Sequence, residues 1–163
     1  MDAEPDTLAQ LYEGCYSRLV AVVTAVSRER DVAEEAVQEA FVRLIGRWGS
    51  VSSYEDPEGW VRMVALRLVM NRQRKVRNGL RALTLLGRAG EHPEPTGDRL
   101  DLTRALGSLP QDLRAVLVLH YFCDLPVNRI ATELNIPAGT VKSRLSRARA
   151  ALMPALQEED TRA

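Results

Sequence analysis

The segment from Ile130 to Arg149 has the form of two short helices joined by a tight turn. Asn135 follows the apolar residues Ile130 and Leu134 and suits the left-handed position that ends a helix. Pro137 stands where a second helix can begin, because the first residue of a helix needs no partner for its backbone N–H. The pattern therefore restricts this part of the chain to a helix-turn-helix.

The second of these helices has one apolar and one cationic side when residues are placed about 100° apart. The apolar stripe consists of Val141, Leu145, Ala148 and Leu152. The opposite side carries Lys142, Ser143, Ser146 and Arg147, while Arg144 and Arg149 flank the stripe. No acidic residue occurs between Val141 and Met153, whereas a solvated surface helix usually alternates its charges. The pattern favours a helix that binds in the DNA major groove over a basic helix exposed to solvent.

The charges are unevenly distributed along a chain whose formal net charge is zero. Residues 1–60 contain twelve acidic and five basic residues, whereas residues 61–90 contain eight basic residues and no acidic one. Acidic sequence follows again before the basic second helix of the helix-turn-helix. Two separated cationic segments indicate two separate contacts with a polyanion such as DNA.

Catalytic, metal-binding and membrane functions are not indicated by this sequence. Cys15 and Cys123 are isolated, and neither His92 nor His120 stands in a metal-ligand or nucleophile–base pattern. We therefore expect no enzyme activity, no metal site and no cofactor. No run reaches the roughly 18 apolar residues of a membrane span, and the acidic N-terminus lacks a signal core. A cytoplasmic location without membrane insertion is expected.

The first half of the chain is predicted to contain three helices. Residues 7–27 form the first, and a second begins with Asp31 as its N-cap and ends near Ile45. A polar loop from Gly46 to Gly59 carries the aromatic residues Trp48 and Tyr54. The third, basic helix runs from about residue 58 to 77. The buried stripe of the second helix is expected to be Ala33, Val37, Ala40, Phe41, Leu44 and Ile45, and that of the third Trp60, Val64 and Leu68, with Met63 and Leu66 as further candidates.

A segment rich in Gly and Pro at residues 87–99 indicates a flexible linker between two helical domains. The fold class predicted is all-α, with two small helical domains. The N-terminal domain covers residues 7–80, the linker 81–100 and the C-terminal domain 101–156. Helices near residues 101–107 and 110–122 precede the helix-turn-helix.

Three segments, in this order, resemble the extracytoplasmic-function (group 4) sigma factors of bacterial RNA polymerase. Residues 31–44, DVAEEAVQEAFVRL, resemble the segment called region 2.2. The PEGWVR sequence at residues 57–62 and the basic helix after it resemble regions 2.3–2.4. Residues 108–149 resemble region 4, with GTVKSRL at residues 139–145 the most specific part. The resemblance covers about residues 7–156.

The resemblance implies a protein that binds core RNA polymerase, through its clamp coiled coil and its flap, and directs it to promoter DNA. An anti-sigma factor is a further implied partner. The residues implied to bind the polymerase clamp are Glu35, Gln38, Glu39 and Arg43. Composition alone would instead leave this acidic face to solvent.

The resemblance also assigns two promoter contacts. At the −35 element, base edges would be contacted by Ser143, Ser146 and Arg147, and phosphates mostly by Lys142, Arg144 and Arg149. Around the −10 element, the backbone would be contacted by Arg62, Arg67, Arg72, Arg74 and Lys75. Trp48 and Tyr54 are candidates to stack on a base extruded during melting.

Two other functions remain open at this point. The first is a stand-alone helix-turn-helix regulator of LuxR type, whose DNA-binding domain is similar to region 4. The second is a helical adaptor that binds polymerase through the acidic face and does not read DNA. Binding to core polymerase separates the first from a sigma factor, and dependence on Arg147 separates the second.

Overall fold

The computed structural model describes residues 7–83 and 100–162, and all the regular structure within them is helical. The helices are α1 (Leu8–Ser27), α2 (Arg30–Ile45), α3 (Trp48–Val51), α4 (Pro57–Leu83), α5 (Leu100–Ser108), α6 (Gln111–Tyr121), α7 (Val127–Leu134) and α8 (Ala138–Arg162). The all-α prediction is confirmed. The linker predicted at residues 81–100 lies almost entirely outside the described residues.

The chain divides into two compact units. The first consists of Met1–Asn71 together with Thr132–Asn135, and the second of Arg72–Ala131 together with Ile136–Ala163. In the described residues, no helix is both long and apolar enough to cross a membrane.

Helix α1 begins with a capping box, which explains why it starts at Leu8. The Thr7 hydroxyl accepts a hydrogen bond from the Gln10 backbone N–H at 3.2 Å, and the Gln10 side chain accepts one from the Thr7 N–H at 3.1 Å. The helix ends where Arg28 adopts the left-handed conformation with φ of 64°. Its buried stripe packs against α2 and consists of Leu11, Cys15, Leu19, Val20, Val23 and Val26.

Helix α2 ends at Ile45 as predicted, but its N-cap and the burial of Ile45 differ from the prediction. The N-cap is Glu29, without a side-chain hydrogen bond, and Asp31 lies inside the first turn. An acidic residue there stabilises the helix through the partial positive charge of its N-terminus rather than as a cap. At the other end Ile45 is 65% exposed, so its predicted place in the core is wrong. The other five residues predicted for its stripe are buried, and Ala36 joins them.

The segment predicted as a loop at residues 46–59 contains the short helix α3 and the start of α4. Helix α4 begins at Pro57, and the Asp56 carboxylate accepts a hydrogen bond from the Gly59 N–H at 2.8 Å. This contact satisfies one of the free N–H groups of the first turn.

The buried stripe of α4 is displaced by about one residue from the predicted one. Its fully buried apolar residues are Val61, Ala65, Leu66 and Val69. Trp60, Met63, Val64 and Leu68 are only half-buried, so the predicted stripe is wrong except for Leu66. Both sides of α4 carry apolar residues between positions 60 and 69, so periodicity could not decide which side would pack into the core.

In the second unit, α5, α6 and α8 share an apolar cluster. It consists of Leu109, Leu113, Leu117, Ala148 and Leu152, with Ala105 and Leu106 packed against it. The side chain of Arg114 is buried beside this cluster and donates to the Leu109 carbonyl oxygen at 2.8 Å. The apolar stripe of the basic helix is therefore the surface that holds α8 in place.

The turn between α7 and α8 follows the prediction closely. Asn135 has a φ of 54°, which is the left-handed conformation expected of it. The Ile136 N–H donates to the Ala131 carbonyl oxygen at 3.0 Å, closing the end of α7. Pro137 precedes α8 instead of being its first residue, and its carbonyl oxygen accepts from the N–H groups of Thr140 and Val141.

The thiol of Cys15 lies in the core of the first unit and is 2% exposed. Burial, with a smaller contribution from the charge of Glu58, raises the pKa of Cys15 from 9.0 to about 12. Because unfolding would return this pKa to its ordinary value, the fold loses stability as the pH rises from about 9 towards 12.

We expect iodoacetamide at pH 8 to label the half-buried Cys123 and to leave Cys15 unlabelled until urea unfolds the chain. Equal labelling rates in the folded protein, measured by mass spectrometry, would contradict this.

Candidate DNA and polymerase interfaces

The face of α8 predicted to read DNA is open to solvent. Lys142, Ser143, Ser146 and Arg147 are all exposed, while Val141, Leu145, Ala148 and Leu152 are buried. The apolar stripe thus lies against the protein and the polar side faces outward, as the periodicity predicts. The outward side of α8 up to Met153 carries hydrogen-bond donors and positive charge without a carboxylate. This is the surface that a major groove lined by base acceptors and phosphates can accept.

Two side chains on α8 are less available than their sequence positions suggest. Arg144 is half-buried, and its Nε lies 3.7 Å from a carboxylate oxygen of Asp112 at the start of α6. Ser143 Oγ donates to the Thr140 carbonyl oxygen at 3.0 Å. That bond leaves the hydroxyl oxygen free to accept, whereas donation to a base would require the hydroxyl to rotate.

Arg149 makes a contact that the sequence did not reveal. Its Nε donates to the Tyr121 hydroxyl at 2.6 Å, and its guanidinium carbon lies 5.5 Å from the centre of the Tyr121 ring. Tyr121 is the last residue of α6, 28 positions earlier in the chain. No local periodicity relates residues that far apart, so only the packing of α6 against α8 could show this pair.

The basic residues of α4 fall into two groups. Arg62 is buried, and its Nε donates to a Glu133 carboxylate oxygen at 3.0 Å, while Arg67 Nε donates to the Glu133 carbonyl oxygen at 3.1 Å. These three residues belong to the first unit. Further along α4, Arg72, Arg74, Lys75 and Arg77 are exposed. The side chains of the second group are thus more exposed to solvent than those of Arg62 and Arg67.

The two aromatic residues of the segment between α2 and α4 differ in exposure. Trp48 opens α3 and is half-buried, whereas Tyr54, after α3, is 48% exposed. Tyr54 is therefore more accessible than Trp48, and stacking on a base requires an accessible ring face.

The acidic side of α2 is exposed at every residue predicted to bind polymerase. Glu35, Gln38, Glu39 and Arg43 all reach solvent. Arg43 and Glu39 form an ion pair at 3.1 Å, one helical turn apart. Gln38 Nε2 donates to the Tyr16 hydroxyl of α1 at 3.2 Å, which holds the amide in one orientation.

An apolar groove of about 500 Å³ lies beside this acidic side, between α1 and α2. Its lining includes Val42 and Ile45, which are 60% and 65% exposed, and Tyr12, which packs edge-on against Phe41 with a centroid separation of 4.9 Å. The remaining lining residues are Leu8, Ala9, Glu13 and Gln38. Sequence reasoning missed the groove because it assigned Ile45 to the core. The run Phe41-Val42 followed by Ile45, too broad for one buried stripe, was the available signal.

Comparisons with known proteins match both halves of the chain. Residues 11–78 match the family Sigma-70 region 2, and residues 99–152 match Sigma-70, region 4. The ECF RNA polymerase sigma factor SigW of Bacillus subtilis is 30% identical over 91% of this chain and 84% of its own length. The ECF RNA polymerase sigma factor SigC of Mycobacterium tuberculosis is 30% identical over 78% of this chain and 72% of its own.

A solved structure shares the fold. The sigma factor RpoE of Bartonella quintana, solved in complex with the anti-sigma factor NepR, superposes with a TM-score of 0.72. The match covers 91% of this chain and 96% of that one, at 24% sequence identity. The matches cover region 2 in the first half of the chain and region 4 in the second, and the relatives match across both. The chain therefore belongs to the extracytoplasmic-function sigma factors of the sigma-70 family.

Proposed function

We propose that this protein binds core RNA polymerase through α1 and α2 and directs it to promoters through α8 and α4. The observation that carries the proposal is the exposed face of α8, which is cationic and free of acidic residues up to Met153, on a correctly formed helix-turn-helix. A family match over both regions supports the same function. The protein acts as an initiation factor, and no catalytic residue is assigned to it.

At the −35 element, α8 lies in the major groove. Arg147, Ser143 and Ser146 contact base edges, because they occupy the centre of the exposed face. Short serine side chains allow the helix to approach closely, and Arg147 can bond two acceptors of a guanine. Lys142, Arg144 and Arg149 lie nearer the flanks and contact phosphates.

At the −10 element, the exposed cations of α4 hold the DNA backbone. Arg72, Arg74 and Lys75 make these contacts directly. Arg62 and Arg67 can join them only if their hydrogen bonds to Glu133 break, since both guanidinium groups are engaged in the present conformation. Their contribution to DNA binding therefore carries the energetic cost of breaking those hydrogen bonds.

Trp48 and Tyr54 receive a base extruded during melting, where stacking offsets the few kcal/mol lost on unstacking. We expect Trp48→Ala and Tyr54→Ala each to slow open-complex formation while duplex binding is retained. Permanganate footprinting of the melted region would measure this. If both variants melt promoters as fast as the unaltered protein, the aromatic residues have no such role.

The docking face for polymerase combines the acidic side of α2 with the apolar groove next to it. Gln38 belongs to both, which makes them one continuous surface. Such a combination of exposed apolar side chains with a charged rim is the usual anatomy of a protein interface. An anti-sigma factor that covers this surface would block polymerase binding.

If the groove is part of the docking face, a charge placed in it should lower the affinity for core polymerase. Ile45→Glu places a charge on the exposed apolar wall and should weaken core binding at least about tenfold, or ~1.4 kcal/mol. Ala25→Glu, at an exposed position of α1 outside the groove, is the matched control. Fluorescence titration of labelled variants with core polymerase measures the effect. Equal affinities for the two variants would remove the groove from the interface.

The experiment that tests the proposed function is in vitro transcription with purified core polymerase on a library of promoter sequences. We expect transcripts that depend on this protein and share two sequence elements. No core binding and no transcripts would overturn the proposal. The LuxR-type regulator and the non-DNA-binding adaptor are not favoured, because both sigma regions are matched.

A further inference from the structure

The contact between Arg149 and Tyr121 extends the proposed DNA interface to a residue outside the helix-turn-helix. We infer that Tyr121 is a positioning residue that holds Arg149 ready to bind a DNA phosphate at one flank of α8. The inference rests on the proposed function. It adds to that function a residue of α6, which is not itself expected to enter the groove.

The position of Arg149 along α8 supports a phosphate contact rather than a base contact. At about 100° per residue, Arg149 lies within about 20° of Lys142, seven positions earlier, and roughly 10 Å further along the helix. Ser143 and Arg147, near the centre of the outward face, are more than about 90° away from it. A helix in the major groove presents its centre to base edges and its flanks to the two backbones. Arg149 thus extends the flank that begins with Lys142.

The geometry of the pair leaves Arg149 able to bind a phosphate. Its Nε–H is used by the Tyr121 hydroxyl at 2.6 Å, which fixes the plane of the guanidinium. Its two terminal nitrogens still carry the paired donors that suit a phosphate. Among the described residues, no carboxylate forms an ion pair with Arg149. The positive charge is therefore oriented without being neutralised.

Tyr121 is itself held in place by its neighbours. The ring of His120 packs edge-on against it, with centroids 4.9 Å apart. His120 Nδ1 lies 3.0 Å from the carbonyl oxygen of Leu125, which can only accept, so Nδ1 carries the proton of that bond. The end of α6 is thereby tied to the turn before α7. A tyrosine anchored in this way reduces the freedom that a long arginine side chain loses when it binds DNA.

A purely structural role for the pair is the competing explanation. Tyr121 is 51% exposed and Arg149 is exposed, so their contact is a surface contact of small effect on stability. Tyr121→Phe keeps the ring and removes only the hydroxyl that accepts from Arg149. We therefore expect its melting temperature to stay within about 1 °C of the unaltered protein. A purely structural role would leave promoter binding and its salt dependence unchanged, so these two measurements distinguish the explanations.

The test uses holoenzyme reconstituted from core polymerase and the full chain, on a promoter selected by the library transcription described above. Equilibrium binding is measured at several salt concentrations for the unaltered protein, Tyr121→Phe, Arg149→Ala and the double variant. Tyr121→Phe should weaken binding about three- to tenfold, equally on promoters with altered −35 bases. Arg149→Ala should weaken it further and reduce the slope of log K against log salt by about one.

The double variant decides whether Tyr121 acts through Arg149. We expect it to bind as Arg149→Ala does, because a positioning residue has no effect once its target is gone. Unchanged binding by Tyr121→Phe would overturn the inference, as would an equal further loss in the Arg149→Ala background. A loss confined to one −35 base pair would make Arg149 a base reader and also overturn it. If the unaltered holoenzyme binds no promoter, the proposed function fails as well.

Discussion

Leu152→Ala should lower the free energy of unfolding of the second unit by about 2–5 kcal/mol. Leu152 is 7% exposed and lies in the cluster with Leu113, Leu117 and Ala148 that joins α8 to α6. Truncation removes buried methyl groups and leaves a cavity that a close-packed cluster fills only in part. Urea denaturation followed by circular dichroism measures the loss.

The neighbouring residue supplies a matched control for this prediction. Met153 is 51% exposed, so Met153→Ala should change stability by no more than about 0.5 kcal/mol. Both substitutions truncate a long apolar side chain on the same turn of α8. Equal denaturation midpoints for the two variants would show that the apolar stripe does not hold α8 against α6.

Arg147→Ala should cost about 1–3 kcal/mol of promoter affinity, or roughly 5- to 150-fold, and relax selectivity at one base pair of the −35 element. Arg147 lies near the centre of the exposed face of α8, where a guanidinium can bond two acceptors of one guanine. Removing it eliminates a contact that distinguishes base pairs. Competition binding of holoenzyme against single-base variants of the −35 element measures the effect.

Lys142→Ala is the control that distinguishes a base contact from a phosphate contact. Lys142 is also exposed on α8 but lies nearer the flank. Its loss should weaken binding uniformly across promoter variants and reduce the salt slope by about one. If Arg147→Ala behaves in the same uniform way, Arg147 contacts a phosphate and the base assignment is wrong.

The sequence predicted the buried residues of a helix correctly where only one side of that helix is apolar. The stripe of α8, from Val141 to Leu152, is buried throughout. The buried stripe predicted for α4 was displaced by about one residue from the observed one. The reason is that Trp60, Val64 and Leu68 form a second apolar side next to the residues that are buried. The prediction that Ile45 is buried was wrong for a related reason. Helix α2 has more apolar residues than its contact with α1 can cover.

The sequence alone determined the helical class, the helix-turn-helix and the cationic face of α8. Each depends on residues close together in the chain: the turn at Asn135 and Pro137, and the periodicity from Val141 to Leu152. Only the tertiary structure decided which cations are engaged. Arg62 meets Glu133, 71 positions away, and Arg149 meets Tyr121, 28 positions away. Hydrogen bonds form between atoms about 3 Å apart in space, and local periodicity carries no information about pairs so distant in sequence.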